Sequence, residues 1–289
     1  MPTVLANQII DVARNRSDIR QIAKVVDISS GMFQIPVYPG GMGSGWVGEA
    51  TARPVTTSPD FKLLSFPVHE MYAMPVATQT LLDDSAVLME NWLGEKIGDE
   101  LAIQENVAFV NGDGVAKPRG FMNQSFVTNA SYAWGTPGYI VSGLAADFIV
   151  PTTTASPADC LITMVYKLKT EYRRNASWVM NSNTVAAIRK FKDTAGRYIW
   201  VDAIAPGQPS TLLGYPVTVA EDMPDIGADT FPVAFGDFSR AYLIVDRIGV
   251  RTLRDPFTAK PYIAFYTTKR VGGGVLDYEA YKVLKIGTA

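Results

Sequence analysis

The stretch from residue 83 to residue 114 constrains the fold most, because it predicts a single helix more than twice the usual length. Its apolar side chains recur at steps of three and four residues, which places them on one helical face: Ala86, Met89, Leu93, Ile97, Leu101 and Ala108. The opposite face should meet water, since it carries Glu90, Asn91, Glu95, Asp99 and Glu105. About 25 residues at ~1.5 Å each give a rod of roughly 40 Å, along which the other elements must be arranged.

Polar and glycine residues mark both ends of this helix. Residues 83–85 (Asp-Asp-Ser) supply N-cap side chains and negative charge at the positive end of the helix dipole. Residues 111–114 (Asn-Gly-Asp-Gly) tolerate left-handed backbone and should end it. Inside the helix, Gly94 and Gly98 each cost ~1 kcal/mol against alanine. They predict either a close approach of another backbone or simple tolerance.

Composition narrows the class of protein. The 289 residues are 47% apolar and 19% charged, which is enough for one or two domains with a full core. A net charge of −2 argues against a protein that grips nucleic acid along its length. With Cys160 and His69 as the only cysteine and histidine, we expect no internal disulfide, His/Cys metal site or Cys-His dyad. Because no signal-peptide core and no ~20-residue apolar run is present, we expect a soluble product.

A long two-stranded arm is predicted before the helix. Residues 33–38 and 61–72 alternate like strands, and the segment between them is rich in glycine, proline and threonine. An isolated hairpin is marginal in water, and this one has Trp46, Phe61 and Leu64 to bury. We therefore expect it to lie on another surface. The first 30 residues predict a weakly apolar arm that packs on its own domain or on a neighbour.

After the helix, the pattern changes twice. Helices alternate with strands between about residues 156 and 219, which favours a compact α/β unit. From residue 231 onward the chain is mostly strand, with predicted strands at 232–235, 241–246, 250–253, 262–270 and 275–284. The three glycines 272–274 predict a bend or bulge. The chain would thus build the middle unit and return to complete the first.

No constellation of residues indicates an enzyme. The glycine-rich segments 40–45, 112–114 and 272–274 match neither a dinucleotide-binding motif nor a Walker A motif. The carboxylates are scattered, and Asp83 and Asp84 are better explained as helix caps than as an acid pair. We therefore predict no catalytic, cofactor-binding or metal-binding residues.

Taken together and in order, several segments resemble the major capsid proteins of tailed double-stranded DNA phages with the HK97 fold. They span about residues 45–285. The matching stretches are Gly45-Trp46-Val47-Gly48-Glu49, Thr80-Leu81-Leu82-Asp83-Asp84-Ser85, Asn111-Gly112-Asp113-Gly114, Pro118-Arg119-Gly120-Phe121, Trp178-Val179-Met180-Asn181, Lys192-Asp193-Thr194-Ala195-Gly196-Arg197-Tyr198, Leu213-Gly214-Tyr215-Pro216-Val217, Phe235-Gly236-Asp237-Phe238 and Arg270-Val271-Gly272-Gly273.

The resemblance implies a fold and a domain organisation. The expected fold class is α+β and HK97-like, with a long spine helix, long P-domain strands, an extended E-loop hairpin and an α/β A-domain. The implied boundaries are an N-terminal arm (1–30), an E-loop (31–70), a P-domain (71–129 and 246–289, with the spine helix at about 84–110) and an A-domain (130–245).

The resemblance also implies a function. A major capsid protein assembles as hexamers and pentamers into an icosahedral-type shell that encloses double-stranded DNA, and we expect only weak contact with that DNA and none with a membrane. Implied partners are further copies of the chain, portal and scaffolding or protease proteins, and a cementing or decoration protein. The expected location is the virion shell, assembled in the host cytoplasm, without a cofactor. The E-loop residues expected to contact a neighbouring subunit are Trp46, Glu49, Arg53, Phe61 and Lys62.

The sequence departs from the family pattern at two points. Many members carry an N-terminal scaffolding segment rich in coiled coil, and no heptad run precedes the arm here, so either the scaffold is a separate protein or the numbering begins at the mature end. Some members also join subunits by an isopeptide bond between an E-loop lysine and an asparagine, with a glutamate as base. The matching positions here are Arg53, Pro261 and Thr268 or Thr267, no glutamate stands near Arg270, and Lys62 is the remaining E-loop lysine. We therefore predict a shell without covalent cross-links.

Two alternatives remain open at this point. An encapsulin-type nanocompartment shares the fold and would hold enzymes instead of DNA, and an α/β enzyme belongs to a different class altogether. The particle itself could be a phage, a prophage remnant or a gene transfer agent. Particle size and the nature of the cargo separate these alternatives.

Overall fold

The long helix, Met89–Asn111, lies along one face of a sheet. In the computed structural model, residues 19–40, 42–49, 51–53, 55–80, 89–200 and 211–288 are described. The predicted helix is confirmed over residues 89–110, whereas the predicted caps at 83–85 lie outside the described residues. Ile97 and Leu101 are buried against Ile263 and Phe265 of the sheet. The predicted apolar stripe therefore does face a core.

Thirteen strands occur within the described residues and form two sheets. In chain order they are β1 (Lys24–Asp27), β2 (Met32–Val37), β3 (Lys62–Ala73), β4 (Val76–Thr78), β5 (Val127–Thr128), β6 (Gly138–Val141), β7 (Ser177–Met180), β8 (Thr211–Leu212), β9 (Tyr215–Val219), β10 (Val233–Gly236), β11 (Tyr242–Asp255), β12 (Tyr262–Val275) and β13 (Tyr281–Lys285).

The six-stranded sheet supports the long helix. Its order is β1-β11-β12-β3-β2, and β4 pairs with β12. Residues 24–27 of β1 pair in parallel with residues 243–246 of β11, and the side chain of Ile19 just before them is fully buried. The part of the N-terminal segment that is described thus packs on its own chain, while residues 1–18 lie outside the described residues.

The seven-stranded sheet forms the second unit, in the order β5-β6-β13-β10-β7-β9-β8. Trp178 of β7 and Phe235 of β10 are fully buried with ring centroids 4.3 Å apart, at the centre of the largest core. Short helical segments connect or flank its strands: Asn129–Ser131, Asp159–Lys167, Thr170–Arg173, Ser182–Arg189 and Phe238–Ala241. Asn181 caps one of them, because its side chain accepts a hydrogen bond from the amide of Thr184. The predicted α/β character of this unit is confirmed.

The C-terminal strands differ from their predictions in their bounds. The strands predicted at 241–246 and 250–253 are parts of one strand, β11, and the strand predicted at 262–270 continues to Val275. Residues 275–284 do not form one strand, because β12 ends at Val275 and β13 begins at Tyr281. Strand β13 then pairs with β10 and β6 of the seven-stranded sheet. Residues 281–285 were grouped by sequence with the segment 71–129, and the hydrogen bonding puts them in the other sheet.

The three glycines 272–274 are also not a bend. They lie inside β12 in register with residues 243–245 of β11. Glycine is needed there because a Cβ on Gly272 would stand 2.4 Å from the carbonyl oxygen of Pro67 in β3. The irregularity falls instead between Arg247 and Arg251, where Ile248 has a φ of 59°. Close packing of strands, rather than a turn, explains the glycines.

The two glycines of the long helix touch nothing nearby. A Cβ built on Gly94 or Gly98 would meet no atom of the described residues within 4 Å. Within this part of the chain, the tolerance alternative is therefore the one that holds.

Candidate assembly surface

The hairpin of β2 and β3 continues into a long loop that carries several exposed apolar side chains. The two strands pair from Met32 and Pro67 as far as Val37 and Lys62, and residues 38–61 (the hairpin loop) follow beyond that pair. The hairpin packs through the buried ring of Phe66, which lies against Leu243 of β11. Farther along the hairpin, apolar side chains lack this cover, because no second layer of the described residues packs against these strands.

Within the hairpin loop, the side chains predicted to contact a neighbour are exposed. Trp46 is fully exposed, and Phe61 is 67% exposed with its ring 5.9 Å from that of Tyr38. Glu49 and Arg53 are exposed as well. An indole without any cover in water is a large apolar surface left for something else to bury.

Lys62 has a different environment from the other four. Its Nζ lies 5.1 Å from the ring centroid of Trp134, a residue of the other sheet's unit. Phe61 and Lys62 are consecutive in the sequence, and both lie at the base of the hairpin loop. Among the described residues, no hydrogen bond, ion pair or ring contact joins them to Trp46, Glu49 or Arg53.

A second exposed surface was missed by the sequence analysis. The long helix covers one face of the sheet, and the opposite face carries Tyr72 of β3 and Tyr266 of β12 with ring centroids 6.4 Å apart. Leu253 pairs with Tyr266 across the ladder, and Phe257 lies at the β11–β12 turn, 78% exposed. The predicted strand at 262–270 already contained part of this signal, because successive side chains of a strand point to opposite faces of its sheet.

A charge cluster around the buried Glu105 connects four elements: the short helix Ile19–Ile22, the long helix, β11 and β12. Arg20 Nη2 donates a hydrogen bond to Glu105 Oε2 at 2.8 Å, and its Nη1 donates to Asp246 Oδ2 at 2.5 Å. Lys269 Nζ lies 2.5 Å from Glu105 Oε1. The prediction that Glu105 faces water was wrong, since only 3% of it is exposed. A carboxylate can be buried there because two cations from other elements neutralise it.

Another ion pair bears on covalent cross-linking. Arg270 is paired with Glu70 in the β12–β3 ladder, and its Nη2 lies 2.6 Å from Glu70 Oε2. The prediction that no glutamate lies near Arg270 is therefore wrong for the folded chain. It is correct only for the neighbours of Arg270 in the sequence of its own strand. Sequence alone could not reveal this neighbour, since it comes from a strand 200 residues away.

Residues 1–286 match the sequence model of the Phage capsid family. The chain belongs to the phage capsid family. It is also 46% identical to the chain described as "Capsid of native GTA particle computed with C5 symmetry", with a TM-score of 0.93 over 99% of this chain and 95% of that chain. The corresponding capsid of the empty GTA particle gives 46% identity and a TM-score of 0.91, covering 99% of this chain and 95% of that one.

Less similar structures from phages share the fold, and their low identity supports nothing beyond the fold. The structure from Gordonia phage Cozz has 18% identity and a TM-score of 0.66, covering 99% of this chain and 91% of that chain. The structure from Microbacterium phage Oxtober96 has 16% identity and a TM-score of 0.70, covering 98% and 95%. A comparison with curated proteins gave no match.

Family membership fixes the broad function. This capsid protein is a structural subunit of a particle shell, and such shells are built from many copies of the subunit. The exposed apolar surfaces are consistent with self-association. None of the described helices is long and apolar enough to cross a membrane.

Two side chains with potentially reactive groups have shifted pKa values among the described residues. Burial raises the pKa of the Cys160 thiol to about 12, so the thiol is neutral near pH 7. Burial likewise lowers the pKa of Lys282, whose Nζ lies 4.5 Å from the ring centroid of Tyr132. No group of three or more His, Cys, Asp or Glu side chains among the described residues is placed to hold a metal ion.

Proposed function

We propose that this chain is the major capsid protein of a particle of the gene-transfer-agent type, and that it forms hexamers and pentamers of a shell around double-stranded DNA. The observation that carries the proposal is the 46% identity to the capsid of a GTA particle over 99% of the chain. Phage capsids of similar fold reach only 18% identity or less among those compared above. The choice of a GTA-type particle over a phage rests on that difference.

The HK97 elements can be assigned to the structure as part of this proposal. The long helix would be the spine helix, the six-stranded sheet the P-domain, and the β2–β3 hairpin with its loop the E-loop. The seven-stranded sheet would be the A-domain. That domain would then include residues 281–285, because β13 is paired within its sheet.

In the assembled shell, the hairpin loop would pack on a neighbouring subunit through Trp46 and Phe61, with Glu49, Arg53 and Lys62 around them. The outer sheet face with Tyr72 and Tyr266 offers an apolar surface of matching character. Burying one tryptophan removes roughly 200 Å² from water, worth on the order of 5 kcal/mol before the cost of association. Repeated around a closed shell, such contacts suffice for assembly without a covalent bond.

Contact with the enclosed DNA should be weak. The net charge is −2, and the exposed side of the long helix carries acidic side chains such as Glu95. A container must be filled and later emptied, and tight phosphate contacts would oppose both movements. Affinity of the subunit for duplex DNA should accordingly be low and should show only a shallow dependence on salt.

The shell should be non-enzymatic and free of isopeptide cross-links. The residue at the position of the E-loop lysine is Arg53, and a guanidinium cannot attack an amide as a free amine does. Pro261 and Thr268 supply neither the amide nor the base. Glu70 does stand beside Arg270, but its carboxylate is engaged in that ion pair. A denaturing gel of mature particles should show a single band at 31.4 kDa, and a ladder of covalent multimers would contradict the assignment.

The remaining partners belong to assembly. We propose a portal, a scaffolding or protease protein, and a decoration protein, with assembly in the host cytoplasm.

Electron microscopy of the purified protein with nuclease digestion tests the whole proposal. Closed particles that protect double-stranded DNA support it. Closed particles filled with protein and lacking DNA would instead indicate an encapsulin-type compartment. A monomer at every concentration, with a turnover of its own, would indicate an α/β enzyme and overturn the proposal.

A further inference from the structure

The base of the hairpin loop touches the seven-stranded sheet's unit at one well-defined place. Lys62 closes the β2–β3 ladder opposite Val37, so it stands where paired strands give way to the hairpin loop. Its Nζ lies 5.1 Å from the centroid of the Trp134 ring, within the range of a cation–π contact. The contact therefore bridges two parts of the chain that belong to different sheets.

A tight turn and ring packing hold Trp134 in a fixed position, so Lys62 can rest against it. It lies in a tight turn in which the amide of Thr136 donates a hydrogen bond to the carbonyl oxygen of Ala133 at 3.1 Å, and Gly135 takes a φ of 106°. The Trp134 ring also meets the ring of Tyr278 edge-on, with centroids 5.6 Å apart. Tyr278 in turn packs against the largest core. The position of the indole is thus fixed by the body of the subunit.

Space is left behind this contact. The open cavity beside it measures about 440 Å³. It lies between the outer part of the hairpin, including Ile35 and Tyr38, and the other unit, including Trp134, Arg240 and Asp277. A hairpin packed against a full interface could not swing, whereas one spanning a cavity can tilt once its outer contact opens.

We propose that Lys62 and Trp134 form a catch that sets the angle of the hairpin in the free subunit. With the catch closed, the hairpin stands at a fixed angle to the seven-stranded sheet, and with it open the hairpin tilts into the cavity. The catch acts within one chain and before any contact between copies. It therefore goes beyond the proposed function and does not depend on it.

Hydrogen exchange on the full chain before assembly tests the catch. Lys62→Met removes the cation and keeps most of the aliphatic stem. The amides of β2 and of the first residues of β3 should then exchange about two- to fivefold faster, which corresponds to the loss of one partly exposed cation–π contact. Lys62→Arg should exchange like the unaltered chain, since a guanidinium also stacks on an indole. Arg53→Met is the matched control, because it removes an exposed cation from the adjoining hairpin loop, and it should leave these amides unchanged.

A double-variant cycle separates the catch from a general loss of packing. Trp134→Leu should speed exchange of the same amides, and adding Lys62→Met to it should have no further effect. Additive effects of the two changes would overturn the proposal. So would unchanged exchange in Lys62→Met alone, a result that does not depend on whether the Trp134 variant folds.

Discussion

Replacing Glu105 tests whether the buried charge cluster holds the N-terminal segment, the long helix and the six-stranded sheet together. Glu105 is 3% exposed, whereas its partners Arg20 and Lys269 are 33% and 19% exposed. Glu105→Gln keeps the volume and removes the charge. Lys269 then loses the carboxylate it faces, while Arg20 keeps Asp246 as a partner.

The expected loss of stability can be bounded. Breaking a fully buried ion pair by removing one partner costs about 3–5 kcal/mol, and exposed pairs are worth ~0–1 kcal/mol. Because both cations retain some access to water, we expect about 2–3 kcal/mol for Glu105→Gln. For a chain of this size, each kcal/mol shifts the melting temperature by roughly 2–4 °C. The melting temperature of the unassembled subunit should thus fall by roughly 4–12 °C.

Equilibrium unfolding in urea, followed by tryptophan fluorescence, measures this loss. Asp99→Asn is the matched control on the same helix, because Asp99 forms a half-exposed pair with Lys96 at 3.4 Å, and it should cost less than about 0.5 kcal/mol. If Glu105→Gln costs no more than this control, the cluster does not contribute to stability as argued. The double variant Glu105→Met/Lys269→Met should recover much of the loss, since it leaves no unpaired charge behind.

Three further outcomes follow from the structure. Gly272→Ala should destabilise the subunit by roughly 1–3 kcal/mol in urea unfolding, because its Cβ would meet Pro67 O at 2.4 Å. Gly98→Ala is the control and should be neutral or stabilising. An equal loss of stability in both variants would contradict the close packing inferred at Gly272. Trp46→Ala should abolish or weaken particle formation in the microscope and leave the unfolding midpoint of the subunit unchanged, whereas a lost cooperative transition would place Trp46 in an internal core. Cys160 is half-buried and its pKa is raised to about 12, so it should react with a thiol reagent at pH 8 only slowly until urea unfolds the chain; rapid reaction of the folded subunit would refute the raised pKa.

Local patterns in the sequence predicted the elements that local physics decides. The 3.6-residue period gave the long helix and its buried stripe at Ile97 and Leu101, and the period of two gave the hairpin strands. The same patterns could not give strand partners. Gly272 looked like a bend, because its reason for being glycine is the backbone of β3, which lies 200 residues earlier in the chain and beside it in space.

Charged residues show most clearly what the sequence cannot predict. A carboxylate is predicted to lie on the surface until its partners in the fold are known. Glu105 falls on the polar side of the helix by periodicity, yet the structure buries it between Arg20 and Lys269. Glu70 was likewise invisible as a neighbour of Arg270. For cross-linking, that neighbour changes the argument: a carboxylate is present after all, so the prediction of a non-covalent shell now rests on the missing nucleophile at Arg53 and the missing amide at Pro261. A base forms no isopeptide bond without a nucleophile and an amide. The prediction therefore depends on these two missing groups, which the carboxylate of Glu70 cannot replace.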